Sequence, residues 1–210
     1  KRAQLILALQ DHERDYFLRI GGVKTMTLGI PFEFTPVEGP SKFTLGFFAS
    51  DNRINQQALK ELLSANWPVL RNEFPNLELV IAGGISRFVQ PTDGVRVLGR
   101  VKTTAEAYAQ MNAVINPMMI GTGLKIKSLE AIAHGKWLLS APAGVEGLEV
   151  DQLAIHVFHS REDLIHQLKR VINLHSAHTA IEACRTYLES YNTKQAMAEK
   201  QLVDFVVSGG

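Results

Sequence analysis

Five residues within a short span could do chemistry together: Gly121, Gly123, Lys125, Lys127 and Glu130. Gly121 and Gly123 free the backbone from Cβ sterics, so amide N–H groups can approach a ligand closely. Leu129, Ile132 and Ala133 recur at helical spacing, so the spacing predicts a helix directly after the glycines. A glycine loop feeding a helix N-terminus gathers orphan N–H groups at the positive end of the helix dipole, and that is an anion site. Lys125 and Lys127 add formal charge there. Glu130, about one turn further on, can accept hydrogen bonds from hydroxyls. An anion beside a diol is what a nucleotide-diphosphate ribose presents. A lone helical lysine or glutamate is ordinarily solvated; the order glycine loop, lysine, glutamate gives these residues their weight.

These groups need a rigid mount. Ala113 to Ile115 is a short apolar run suited to a buried parallel strand, ended by Pro117. Gly135 stands where a left-handed C-cap would close the helix. The same alternation recurs along the chain. Strands are expected at Phe43–Phe48, Leu77–Ala82, Val95–Leu98, Trp137–Ser140 and Ile155–Phe158. Helices are expected at Gln56–Phe74, which Pro68 must kink or restart, at Thr103–Met111, after Ser160, and at 176–190 and 194–207. Upstream, Gln4–Leu9 reads as a buried strand, Asp11–Ile20 as a helix and Val23–Leu28 as a strand. A Pro/Gly-rich linker through Pro36, Gly39 and Pro40 follows. The fold class is therefore α/β: a Rossmann-like open parallel sheet with helices on both faces, plus a short remnant of a preceding domain. Ligands of such sheets sit beyond the carboxyl ends of the strands. Loops 49–55, 99–103, 117–125 and 141–147 meet that condition. The expected divisions are residues 1–40 (tail and hinge of the preceding domain), 41–190 (the Rossmann-like unit) and 191–210 (a closing helix).

Composition excludes several classes. The net charge of +1 over 210 residues makes no bulk electrostatic case for nucleic acid. The single cysteine, Cys184, cannot form a disulfide within the chain; it reads as a helical packing residue in a reducing compartment. No apolar run approaches the roughly 20 residues of a membrane span. The seven histidines show no metal spacing; His156, His159, His175 and His178 read as satisfied surface residues, and His134 as favourable at a helix C-terminus. Gly83-Gly84 lacks the full dinucleotide-loop spacing and reads as a turn. The chain opens on Lys1-Arg2 without an initiator methionine, so a fragment is expected.

The segments FTLGFFASDNRINQQALKELL, NLELVIAGG, VRVLGRV, AVINPMMIGTGLKIKSLEAIAHGKWLLSAPAGVEGL and SREDLIHQLKRVI, in this order over about 42–175, resemble the C-terminal, donor-binding domain of GT-B-fold glycosyltransferases of the retaining group 1 class. The resemblance implies a hexosyltransferase-type enzyme using a nucleotide-diphosphate sugar of UDP or GDP type as donor, with no cofactor and no metal. Glu130 resembles the family's ribose-binding glutamate. Gly121, Thr122, Gly123 and Leu124 would face the diphosphate and the sugar through backbone amides. Lys125, and with it Arg53, would neutralise the diphosphate as it leaves, with Lys127 a further nucleotide-sugar-binding candidate; Glu130 and Lys125 are thus the expected catalytic pair. Arg100 and Val101 correspond to backbone that meets the base, and Ser50 and Asn55 lie opposite the phosphates. Thr122 stands where many members carry a second glutamate, eight positions before the ribose one, so its sugar contact is missing here. The implied partners are the nucleotide-sugar donor and an acceptor glycan or lipid held by a missing N-terminal domain, as in polysaccharide biosynthesis. Nucleic acid is not among them, and peripheral membrane association would run through that missing domain. The implied place is the cytoplasm, at the inner face of the membrane. The alternatives are a non-catalytic nucleotide- or sugar-phosphate-binding module and a GT-B-fold UDP-sugar epimerase. The fragment alone is expected to bind donor but not to turn over.

Overall fold

The computed structural model describes residues 3–21, 23–120, 123–150 and 152–208. Its centre is a six-stranded, wholly parallel sheet in the order β5-β4-β3-β6-β7-β8. The strands are β3 (Thr44–Phe48), β4 (Glu78–Ala82), β5 (Val95–Gly99), β6 (Ala113–Asn116), β7 (Trp137–Ser140) and β8 (Ile155–Val157). They are almost continuously apolar because helices cover both faces. Alternate side chains go to opposite layers. Leu79, Ile81, Ile115 and Leu139 pack with α2 (Arg53–Glu61), α3 (Trp67–Glu73) and α6 (Arg161–Leu174). On the other face, Val80, Ala82 and Val114 pack with α4 (Thr104–Tyr108), and Leu138 packs with α5 (Ile126–Ala133) and α7 (Ala177–Val207).

The chain adds β4 and β5 on one side of β3, then returns to place β6, β7 and β8 on the other. Consecutive connections therefore diverge between β3 and β6, which is where an open α/β sheet leaves a crevice. The two strands share only two register pairs, Leu45 with Ala113 and Gly46 with Val114. Gly46 is needed there: a Cβ would fall 2.0 Å from the sulfur of Met111.

Pro68 restarts the long helix rather than merely bending it. After α2 the backbone widens into a π turn over Leu62–Asn66, and Pro68 enters the first turn of α3, where its missing N–H costs nothing. The predicted helix at Thr103–Met111 shortens to Thr104–Tyr108, with Thr103 as cap. The two helices expected at 176–190 and 194–207 are one, α7, with no break near residue 191. No glycine or proline interrupts it, and Thr193 Oγ1 bonds back to Glu189 O within the helix. The expected division at 191 thus falls inside a continuous element.

Ahead of the sheet, β1 (Leu5–Ala8) and β2 (Lys24–Thr27) form a separate parallel pair joined by α1 (Asp11–Gly21). The expected burial of the first strand is only partial, since Leu7 and Leu9 remain exposed. The linker then docks on the Rossmann-like unit. Thr35 N donates to Ala133 O, and Val37 N donates to His134 O. The far half of α7 binds the same linker: Tyr191 donates to Ile30 O, Asn192 bonds Phe32 through both backbone groups, and Gln195 accepts from Gly29 N.

Candidate functional site

A cleft of about 610 Å³ opens at the divergence between β3 and β6. Its floor is built by strand ends and the two loops that leave them. After β3, Asn52 caps α2 by accepting from Asn55 N at 2.9 Å. That cap turns the buried Asn55 amide inward, where it donates to Ser50 O at 3.0 Å and Ser50 Oγ at 3.1 Å. Its remaining oxygen accepts from Lys127 Nζ at 2.5 Å. Ser50, Asn55 and Lys127, expected on opposite sides of a ligand, are thus one bonded group.

After β6 the chain enters the glycine loop. Gly121 and Thr122 lie outside the described residues, as does any contact that they make. Gly123 has φ +75°, a left-handed conformation that favours glycine, and its carbonyl faces Gln10. Leu124 lines the cleft. Lys125 takes the N-cap position of α5 without a side-chain cap bond, and Lys125, Ile126 and Lys127 at this helix start all line the cleft, although Ile126 N and Ser128 N are bonded to Leu124 O and Lys125 O. Lys125 is only 5% exposed and pairs with Glu146 at 3.6 Å. Glu130 stands one turn along α5 and accepts from the Tyr108 hydroxyl at 3.2 Å.

Beneath the loop, Ser128 Oγ and Asn116 Nδ2 both donate to Gly144 O, at 2.7 and 3.3 Å, and Asn116 Nδ2 also reaches Ser128 Oγ. This buried network ties the start of α5 to the loop after β7. Gly144 admits no side chain, because a Cβ would sit 2.4 Å from Ser140 Oγ.

The electrostatics favour an anion. Burial, and then the charge of Lys125, push the Lys127 ammonium down to about 8. A bound negative group would relieve both costs. Tyr108 is held well above the ordinary phenol range by burial and by the adjacent Glu130, so it remains a hydrogen-bond donor at neutral pH.

Three expected residues are not brought in. Arg53 is the exposed first residue of α2, Arg100 is exposed beyond β5, and Val101 packs beside the Val80–Tyr108 core cluster. None lines the cleft. No residue of the loop after β5 lines the cleft, whereas Gly83-Gly84, read as a plain turn, does turn the chain with φ +90° at Gly83 and also lines the cleft wall. Four contributors went unread: Tyr108, Asn116, Glu146 and Gln10. Gln10 comes from the separate strand pair and donates to Gly123 O at 3.0 Å and Glu146 O at 3.1 Å. Only loop 141–147 carried a positional signal; the others arrive through tertiary contacts. The expectation of a surface histidine fails at His156, which is buried against Trp137; His134 does stand at the C-cap of α5, where its ring also bonds Thr35 and Thr104. Among the described residues no group of three His, Cys, Asp or Glu side chains converges on a point that could hold a metal. Cys184 is buried and its thiol is pushed up to about 12, as expected of a packing residue.

A doubly covered parallel sheet with a cationic cleft at its switch point, followed by a helix returning to a second unit, defines the C-terminal Rossmann-like half of the GT-B architecture. Residues 42–173 match the family description "Glycosyl transferases group 1", and the chain belongs to that family. Solved structures share the fold at low identity. HepE from Anabaena, in complex with UDP and glucose, is 13% identical with a TM-score of 0.69, over 98% of this chain and 63% of that one. The pneumococcal O-GlcNAc transferase GtfA, in complex with UDP and GlcNAc, is 15% identical with a TM-score of 0.61, over 93% and 45%. The C-terminal domain of the group 1 protein LpcC from Francisella tularensis is 14% identical with a TM-score of 0.52, over 79% of this chain and 98% of that one. The chain thus spans less than two thirds of the length of HepE and GtfA. No curated protein sequence matches it. Among the described residues no helix is long and apolar enough to cross a membrane.

Proposed function

We propose that this chain is the donor half of a hexosyltransferase that uses a nucleotide-diphosphate sugar. The observation that carries the reading is the convergence of Lys125, Lys127, the N-terminus of α5 and Glu130 on one cleft at the switch point of the sheet. The diphosphate lies on the helix N-terminus between the two ammonium groups, and the Glu130 carboxylate accepts from the ribose hydroxyls. As the glycosidic bond breaks, negative charge grows on the departing diphosphate. The cationic cradle is already in place to stabilise it, without reorganisation. That work needs no cofactor. UDP and GDP are the donor types considered, and the structures of HepE and GtfA with UDP favour the first. The acceptor, a glycan or lipid, is held by a region that this chain does not span, so the chain by itself binds donor without efficient transfer. That region also provides any peripheral attachment to the inner face of the membrane, and the enzyme works in the cytoplasm.

Titration with UDP and GDP tests the reading. Micromolar binding is expected, and Glu130→Ala weakens it tenfold or more, about 1.4 kcal/mol. Wild-type affinity for neither nucleotide, or affinity untouched by Glu130→Ala, sinks it.

The lysines make binding pH-dependent. Lys127 in the free protein is protonated below about 8 and neutral above it. A diphosphate favours the protonated form, so its binding above that pH must draw a proton from solution. Affinity should be flat from pH 6.5 to 7.5 and fall from about pH 8 upward, by at most about tenfold per pH unit. Calorimetry in two buffers of different ionisation enthalpy reads the proton uptake directly. Lys127→Met should flatten the profile.

A further inference from the structure

Glu130 is held on one side by a group that touches no part of the cleft. Tyr108 ends α4, is almost wholly buried, and donates its hydroxyl to Glu130 Oε2 at 3.2 Å. It is not among the cleft-lining residues. The ring cannot retreat. Phe48 meets it edge-on at 5.5 Å, and the His134 ring lies against it at 4.6 Å. His134 is itself fixed at both nitrogens. Nδ1 lies 2.9 Å from Thr35 O, an acceptor, so Nδ1 carries the proton. Nε2 then accepts from Thr104 Oγ1 at 3.0 Å. A phenol kept protonated by burial, wedged between two rings and aimed at one carboxylate oxygen, limits that carboxylate to few orientations. The free oxygen is left for the cleft.

We propose that Tyr108 is a positioning residue: it orients Glu130 so that the carboxylate meets the ribose hydroxyls of the nucleotide. The assignment rests on the donor reading above. Tyr108 touches no ligand; it acts through Glu130, by removing rotamers that a solvent-facing glutamate would otherwise sample.

Tyr108→Phe keeps the ring and its packing and deletes only the hydroxyl. UDP and GDP affinities are measured for the wild type, Tyr108→Phe, Glu130→Ala and the double variant, together with UDP lacking the ribose 2′ and 3′ hydroxyls. Tyr108→Phe should weaken UDP about three- to tenfold. It should leave the dideoxy analogue unaffected, and it should have no further effect once Glu130 is alanine. A merely structural role would weaken both ligands alike and add to Glu130→Ala. A second readout needs no ligand: the ¹³Cζ resonance of Tyr108 should move on Glu130→Gln. An unmoved resonance overturns the contact itself. If the wild type binds UDP, Glu130→Ala weakens it and Tyr108→Phe does not, the assignment of Tyr108 falls and the donor site stands. If the wild type binds neither nucleotide, both fall together.

Discussion

Lys125→Met loses about ten- to a hundredfold of its affinity for UDP or GDP, the equivalent of about 1.5–3 kcal/mol for a charge-assisted hydrogen bond, while its melting temperature changes little. The Lys125 ammonium is taken almost entirely out of water at the N-terminus of α5, where the helix dipole and Lys127 are both positive neighbours. Glu146 at 3.6 Å offsets part of that cost, but its carboxylate is half exposed and screened. Methionine keeps the length and the apolar stem, and Glu146, half exposed, is returned to water, so the fold loses little. A negative ligand adds a further partner to those that Lys125 already has. Isothermal titration together with thermal unfolding reads both quantities on one sample. An unchanged nucleotide affinity would remove the anion role from the loop-to-helix junction.

Trp67→Ala costs stability instead and leaves the chemistry of the cleft alone. Trp67 begins α3, is nearly fully buried in the core cluster under α2, α3 and α6, and donates its indole N–H to Asp93 O at 2.8 Å. Truncation removes a large apolar surface, leaves a cavity and loses the hydrogen bond to Asp93 O. About 3–5 kcal/mol is expected, which lowers the melting temperature by about 6–20 °C for a chain of this size. Below the new midpoint, nucleotide affinity should match the wild type, because neither Trp67 nor Asp93 lines the cleft. Thermal unfolding by circular dichroism checks the first part. A loss under about 1 kcal/mol would mean that the layer repacks.

Most of the sheet was legible because each strand and helix carries its own period within about ten residues. β4, β6 and β7 fall within a residue of their expected bounds, since buried parallel strands are short apolar runs closed by glycine or proline. The exceptions have local causes. The long C-terminal helix reads as two pieces in the sequence, yet α7 is continuous: its buried residues end at Leu188, and beyond that point it binds the linker through the polar side chains of Tyr191, Asn192 and Gln195, which periodicity does not register. His156 gave no sign of burial, because its neighbour Trp137 lies on another strand.

The amino-acid sequence by itself determined the order strand, glycine loop, lysine, helix, glutamate. Backbone freedom at glycine, helical spacing and fixed charge are properties of consecutive residues. Tertiary structure alone decided which groups share the cleft. It brought Asn55 onto Lys127 from 72 residues away, Tyr108 onto Glu130 from 22, and Gln10 onto Gly123 from 113, while leaving Arg53 and Arg100 in solvent. The physical reason is that desolvation and hydrogen-bond partnership depend on what packs across the crevice between β3 and β6, and no local pattern encodes what lies on its far side.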